Sequence, residues 1–218
     1  MQIVRTLLDG RGLQHRGAFY DLNLEPPSIT TVSRACPSFY FGGLSDAARE
    51  CAAAGADVYL MWPDTEDAVS ELIGDMRTRA DRHERSLRFG FRVHVIVRAS
   101  EGDARAAAAR LVSRLDEAVG DSIRAASLDS MSVGVRRQAE LRDTATGDGY
   151  VEPNLWTGIG RARSGCGAAI VGDPDQVLEK LNRYRALGIE TFILSGYPHA
   201  DECDLFAEHV LPRLRAQG

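Results

Sequence analysis

The spacing of hydrophobic residues changes period along this chain, and each change marks an element. Arg88 to Arg98 carries the clearest alternation. Phe89, Phe91, Val93, Val95 and Val97 interleave with Gly90, Arg92, His94 and Ile96, the period of two of a β-strand. Shorter apolar runs at Phe39-Tyr40-Phe41, Asp57 to Trp62 and Glu190 to Ile193 predict further strands. Helical spacing takes over between them. Asp46 to Ala54 predicts a helix ended by Gly55, and Val69, Leu72, Ile73 and Met76 line another that runs to about His83. Ser100 caps a helix along which Leu111, Leu115 and Val119 recur every four residues, and Asp121 to about Leu141 is helical but less regular. Asp173-Pro174-Asp175-Gln176 is a helix start with a capping box, and Gly188 stops that helix. Ala200 to Arg215 forms the last helical segment.

Before the first strand the pattern is looser. Gln2 to Leu8 predicts a helix with Ile3, Val4, Leu7 and Leu8 on one face, and His15 to Leu24 a hairpin or extended excursion. The whole is strand–helix four times, with an insertion of helix, loop and lid over residues 99–167 between the third strand and its helix. That order predicts one α/β domain over residues 1–218, built on a parallel sheet with right-handed crossovers. Four such units are too few to close an eight-stranded barrel, and no Gly-x-Gly-x-x-Gly turn marks a dinucleotide fold.

Composition narrows the function classes. With 218 residues and 44% hydrophobic content, the chain can bury a substantial core. A net charge of −5 argues against a general nucleic-acid partner. Cys36, Cys51, Cys166 and Cys203 form no CxxC pair and have no histidine at ligand spacing, so free thiols in a reducing compartment are expected and no metal. No signal peptide and no apolar run long enough to span a membrane is present, which predicts a cytoplasmic protein with no membrane partner. His15, His83 and His209 lie in polar surroundings and are expected at the surface.

Candidate chemistry gathers at strand ends. Gly42-Gly43-Leu44-Ser45 follows the first strand, as a plain tight turn or as a cradle in which helix-opening amides and the Ser45 hydroxyl meet a phosphate. Arg92 and His94 share one strand face, opposite Val93 and Val95, and suit an anion there; otherwise that face is simply exposed. Arg161 to Gly167 is a glycine-flanked arginine segment, either a solvated loop or a lid that brings positive charge to a site. Leu194-Ser195-Gly196-Tyr197-Pro198-His199 places Tyr197 and His199 just past the last strand.

Taken in order, these runs resemble the flavin-dependent alkanesulfonate monooxygenases of the bacterial luciferase-like superfamily. The match lies in Phe39 to Gly43, Arg88 to Arg98, Asn154-Leu155-Trp156 leading to Arg163 and Val171-Gly172-Asp173, and Leu194 to His199. Leu44, Ser164 and Cys166 depart from the family pattern. The resemblance implies a partial (β/α)8 TIM barrel, its last four βα units with a lid insertion. It also implies reduced FMN (FMNH2) as co-substrate, delivered by an NAD(P)H-dependent FMN reductase, with O2 and an alkanesulfonate giving an aldehyde and sulfite. By position, Gly42, Gly43 and Ser45 would hold the FMN phosphate. Arg92 and His94 would line the sulfonate and flavin-peroxide pocket, Arg163 would close over it from the lid, and Tyr197 and His199 would complete its last wall. The family's first four strands have no counterpart in these residues, so Phe39–Phe41 and Phe192–Leu194 should lie at open edges. The missing half would come from self-association or a separate N-terminal half-chain. A non-catalytic remnant that binds FMN or an anion, and a deazaflavin-dependent oxidoreductase of the same superfamily, are the alternatives.

Overall fold

A computed structural model gives the fold of the whole chain except residues 29, 34, 127–130, 164 and 217–218. Helix α1 (Gln2–Leu8) and the antiparallel hairpin β1 (Leu13–Arg16) and β2 (Asp21–Leu24) lead into the first βα unit. There β3 (Tyr40–Phe41), α2 (Asp46–Gly55), β4 (Val58–Met61), α3 (Glu66–Arg82) and β5 (Arg88–Val97) alternate as the periodicity predicts. The insertion holds α4 (Glu101–Val112), α5 (Glu117–Ala125), α6 (Val133–Asp143), β6 (Tyr150–Glu152), β7 (Leu155–Trp156) and a 3-10 turn (Gly158–Arg161), and β8 (Ala169–Gly172) follows it. The chain closes with α7 (Pro174–Leu187), β9 (Ile189–Ser195), α8 (His199–His209) and α9 (Leu211–Arg215).

The repeating strands lie side by side and parallel in the order β3–β4–β5–β9. Strand β5 is the hub. It takes β4 along residues 88–91 and β9 along residues 89–94, and β8 joins it over residues 94–97. His94 therefore has Ala169 on one side and Ser195 on the other. Beyond β8 the insertion adds β7 and β6 antiparallel. Among the described residues β3 pairs only with β4 and β9 only with β5, so both are edges, as the resemblance implies.

Register decides what each face does. Phe41, Tyr59, Met61, Phe89, Phe91, Val93, Val95, Phe192 and Leu194 pack under the helices as the main core. Phe91 meets Tyr184 of α7 with ring centroids 4.4 Å apart. The opposite face carries Tyr40, Leu60, Gly90, Arg92, His94, Ile193 and Ser195. It is left partly open, with Tyr40 46% and Ile193 40% exposed. This is a half-barrel: helices cover the convex side, and among the described residues the concave side has no second set of strands.

The end signals hold where their chemistry is local. Ser45, Thr65, Ser100 and Asp173 each accept a backbone N–H as N-caps, Gln176 closes the capping box, and Gly188 adopts φ 115°. The four-residue recurrence after Ser100 does not hold. Helix α4 stops at Val112, Leu111 and Val119 are exposed, and the buried stripe is Ala104, Ala107 and Ala108. Small side chains let α4 lie close on β8, so packing overrides the bulkier spacing. The region from Asp121 divides into α5 and α6, and residues 127–130 between them fall outside those described. Asn154 to Gly167, without periodicity in sequence, is largely buried. Trp156 packs with Ile96, Tyr150 and Ile159 in a second core, between Gly149 and Gly158, where a Cβ would strike its indole.

Candidate active site

The C-terminal half of β5 runs under the insertion, and this placement assembles one cluster. His94 is 1% exposed, with Nδ1 2.8 Å from the Ser195 hydroxyl. Burial pushes its pKa down to about 4, and the charges of Arg163 and Arg92 push the same way. The backbone carbonyls of Cys166 and Ser195 oppose that shift. Tyr197 stands next to it, ring centroids 5.4 Å apart, and accepts a hydrogen bond from Arg163. The exposed His199 ring lies 4.7 Å beyond Tyr197, past the cis Tyr197–Pro198 peptide. Cys166 is buried, its thiol pushed up to about 11, and it donates to the Arg92 carbonyl at 3.3 Å. This bond docks the arginine-bearing segment onto β5. Ser164, in the same segment, lies outside the described residues. Arg92, His94, Arg163, Tyr197 and His199 thus come together from β5, the insertion and the end of β9.

The turn behind Tyr197 is held from below. Arg98, at the end of β5, forms a two-pronged pair with the buried Glu202 at 2.5 and 3.1 Å. Glu202 in turn packs against Gly196, where a Cβ would come within 2.5 Å of the Glu202 Cβ.

Gly42, Gly43 and Ser45 sit elsewhere. They border a separate cavity of about 600 Å³ at the ends of β3 and β4, together with Trp62, Met131 and Gly134. The sheet order places three strand spacings, about 14 Å, between β3 and β9. The glycines are demanded by close approach. A Cβ on Gly43 would fall 2.7 Å from the Ala48 Cβ, and one on Gly42 would meet the Leu60 carbonyl at 3.1 Å. Tyr59, buried and with its pKa raised to about 12, donates to the Gly43 carbonyl and fixes the turn. Ser45 spends its oxygen on the Ala48 N–H. Its proton stays available to a ligand.

Helix α6 roofs this cavity. Arg137 grips Asp64 through two bonds of 2.6 and 2.8 Å, and Gln138 joins the Pro63 carbonyl to the Gly167 N–H. These roof residues carry no motif in the sequence. Trp62 does carry a signal, as the last residue of a strand run, and Ser195 sits inside the quoted motif. Cys36, Cys51, Cys166 and Cys203 are free in the structure, and no group of three metal-binding side chains occurs among the described residues. No helix among them is long and apolar enough to cross a membrane.

The luciferase-like monooxygenase family model matches residues 1–191. The chain belongs to that family. It is 64% identical over 214 residues to a sulfoquinovose monooxygenase of Novosphingobium aromaticivorans, covering 98% of this chain and 59% of that protein. A sulfoquinovose monooxygenase of Agrobacterium fabrum is 47% identical over 218 residues, covering 99% of this chain and 56% of that one. The chain therefore spans little more than half the length of these curated relatives. Among solved structures, riboflavin lyase (RcaE) superposes with a TM-score of 0.73 at 15% identity, over 95% of this chain and 49% of that one. DmoA of Hyphomicrobium sulfonivorans gives 0.66 at 20% identity, over 94% and 47%. At these identities the structural likeness speaks for the fold alone. The half-barrel is the fold that the resemblance implies. These two relatives are sulfoquinovose monooxygenases, whereas the motifs resemble alkanesulfonate monooxygenases.

Proposed function

We propose that these residues form the C-terminal half of a flavin-dependent sulfonate monooxygenase, with sulfoquinovose or a similar sulfonated sugar as substrate. The observation that carries the reading is the 64% identity to a sulfoquinovose monooxygenase along nearly the whole chain. The cluster supports it chemically. Arg92 and Arg163 offer guanidinium groups near His94, Arg163 also bonded to Tyr197, a donor set suited to a sulfonate. Alkanesulfonates would be bound through the same head group and differ in the tail.

The turn at Gly42, Gly43 and Ser45 suits the phosphate end of FMN, because it borders the cavity where α2 begins and keeps the Ser45 hydroxyl proton for a ligand. Bound reduced flavin supplies, with O2, the oxygen atom for cleavage of the carbon–sulfur bond. The chain's own residues do the rest. Arg92 and Arg163 orient the sulfonate, Tyr197 holds the Arg163 guanidinium, and neutral His94 offers a hydrogen bond without adding charge. The docked insertion keeps water out through Cys166 and the Gln138 bridge. A flavin reductase is the expected partner. The open concave face and the edges at β3 and β9 require a second wall, which we assign to the four strands of an N-terminal half, in the same or another chain.

Sulfite release under air, with FMN, a flavin reductase and NAD(P)H, tests the reading. Sulfoquinovose should give sulfite faster than octanesulfonate once an N-terminal half from a relative is supplied. Equal or faster turnover of octanesulfonate would move the substrate back to alkanesulfonates. No sulfite from either, with saturable FMN binding retained, would favour a non-catalytic flavin-binding remnant.

A further inference from the structure

The imidazole of His94 is almost fully buried, and one of its nitrogens is unused. Nδ1 lies 2.8 Å from the Ser195 Oγ, whereas Nε2 is buried and no hydrogen bond reaches it from the described residues. The ring is flanked by strands on both sides, Ser195 coming from β9 and the Cys166–Ala169 segment from the β8 edge. The groups that face it are the cations Arg163 and Arg92, the Tyr197 ring, and the carbonyls of Cys166 and Ser195. No carboxylate is among the described groups that act on it.

We propose that Ser195 is a positioning residue whose hydroxyl donates to Nδ1 of His94 and so holds the ring in the neutral tautomer protonated at Nε2. Two cations and near-complete burial leave room for only one ring proton, so the question is which nitrogen carries it. With the proton on Nδ1, Ser195 would accept. Its own proton would then have no acceptor among the described residues, and the bare Nε2 lone pair would stay unpaired as well. With the proton on Nε2, the hydroxyl donates to Nδ1, and the Nε2–H alone is left without a partner among the described residues. The second arrangement leaves fewer buried groups in conflict. If the sulfonate reading above holds, as this consequence requires, His94 meets a ligand oxygen as an N–H donor and not as a base. Ser195 then sets that role without touching the ligand.

The tautomer is read directly from 1H–15N multiple-bond correlation spectra of protein labelled at histidine nitrogens, at neutral pH and with no flavin or substrate. The wild type should show the Nε2 of His94 in the protonated range and its Nδ1 in the unprotonated range, the signal assigned by its loss in His94→Asn. In Ser195→Ala the Nδ1 shift should move toward the protonated range, and Ser195→Thr should restore the wild-type pattern. A wild-type ring protonated on Nδ1, or an unchanged pattern in Ser195→Ala, would overturn the proposal. The wild-type spectrum requires no variant, so the test survives if Ser195→Ala does not fold. Because the readout needs no turnover, its failure is distinct from a failure to release sulfite.

Discussion

His94 couples the stability of the molecule to pH. Its folded pKa of about 4 lies below the ordinary 6.5 of a free imidazole, so the unfolded chain binds the extra proton first. This contribution is full above pH 6.5, declines as pH falls through the window between 6.5 and 4, and levels off below it. The shift corresponds to about 3 kcal/mol over that window. Urea midpoints from pH 7 to pH 4 should fall more steeply in the wild type than in His94→Asn; parallel slopes would remove His94 from the acid response. The arginines carry a different expectation. In a complemented enzyme, Arg163→Ala and Arg92→Ala should each lower sulfite release by about ten- to a hundredfold, the size of a lost charge-assisted bond, with melting temperature unchanged. Loss of sulfite release that tracks loss of folded protein would mean that either arginine is structural.

At the scale of elements, burial of charge and closeness of backbone set the connections. Lys180, the one lysine of the sequence, is 3% exposed and donates to Glu66 of α3 and Glu152 of β6, each at 2.6 Å. It sits on α7, so three elements meet at one ammonium, and the insertion is pinned to the barrel helices there. Lys180→Met should destabilise the fold by about 3–5 kcal/mol, because two carboxylates are left facing each other with a buried partner removed. The denaturant midpoint checks this, and the double change Lys180→Met with Glu152→Gln should recover part of the loss. The turn after β3 is the second such point. Gly43→Ala would force its Cβ against Ala48, costing about 1–3 kcal/mol and weakening FMN binding in a fluorescence titration. Unaltered FMN affinity in a folded variant would take this turn out of the cofactor site.

Over the whole molecule, the uneven covering of the sheet is the dominant feature. Its convex face is packed with apolar side chains under helices, and its concave face leaves Tyr40 and Ile193 partly in solvent between two unpaired edges. Such edges associate unless they are paired or charged. The isolated chain should therefore show concentration-dependent association in sedimentation velocity. Ile193→Lys should suppress it without loss of circular dichroism at far-ultraviolet wavelengths. A monomer at all concentrations would show that the edges are protected by their own twist and length.

Much of this organisation follows from the one-dimensional pattern. Alternation over Arg88 to Arg98 determines a strand, local caps at Ser45, Ser100 and Asp173 determine where helices begin, and the strand–helix order determines a parallel sheet. The ordered motifs also pointed to the family and to the residues that gather at the cluster. These features are local or periodic, so they are written in neighbouring residues. Tertiary structure decided the rest, because those choices depend on contacts between distant segments. It buried the aperiodic stretch around Trp156, ended α4 on an alanine stripe, and placed Ser195 beside His94 across 101 positions of sequence. It also set the glycine cradle apart from the Arg92–His94 cluster and put Lys180 between two glutamates. A period of two says which way a side chain points, but what it meets there is settled only when the strands are laid side by side.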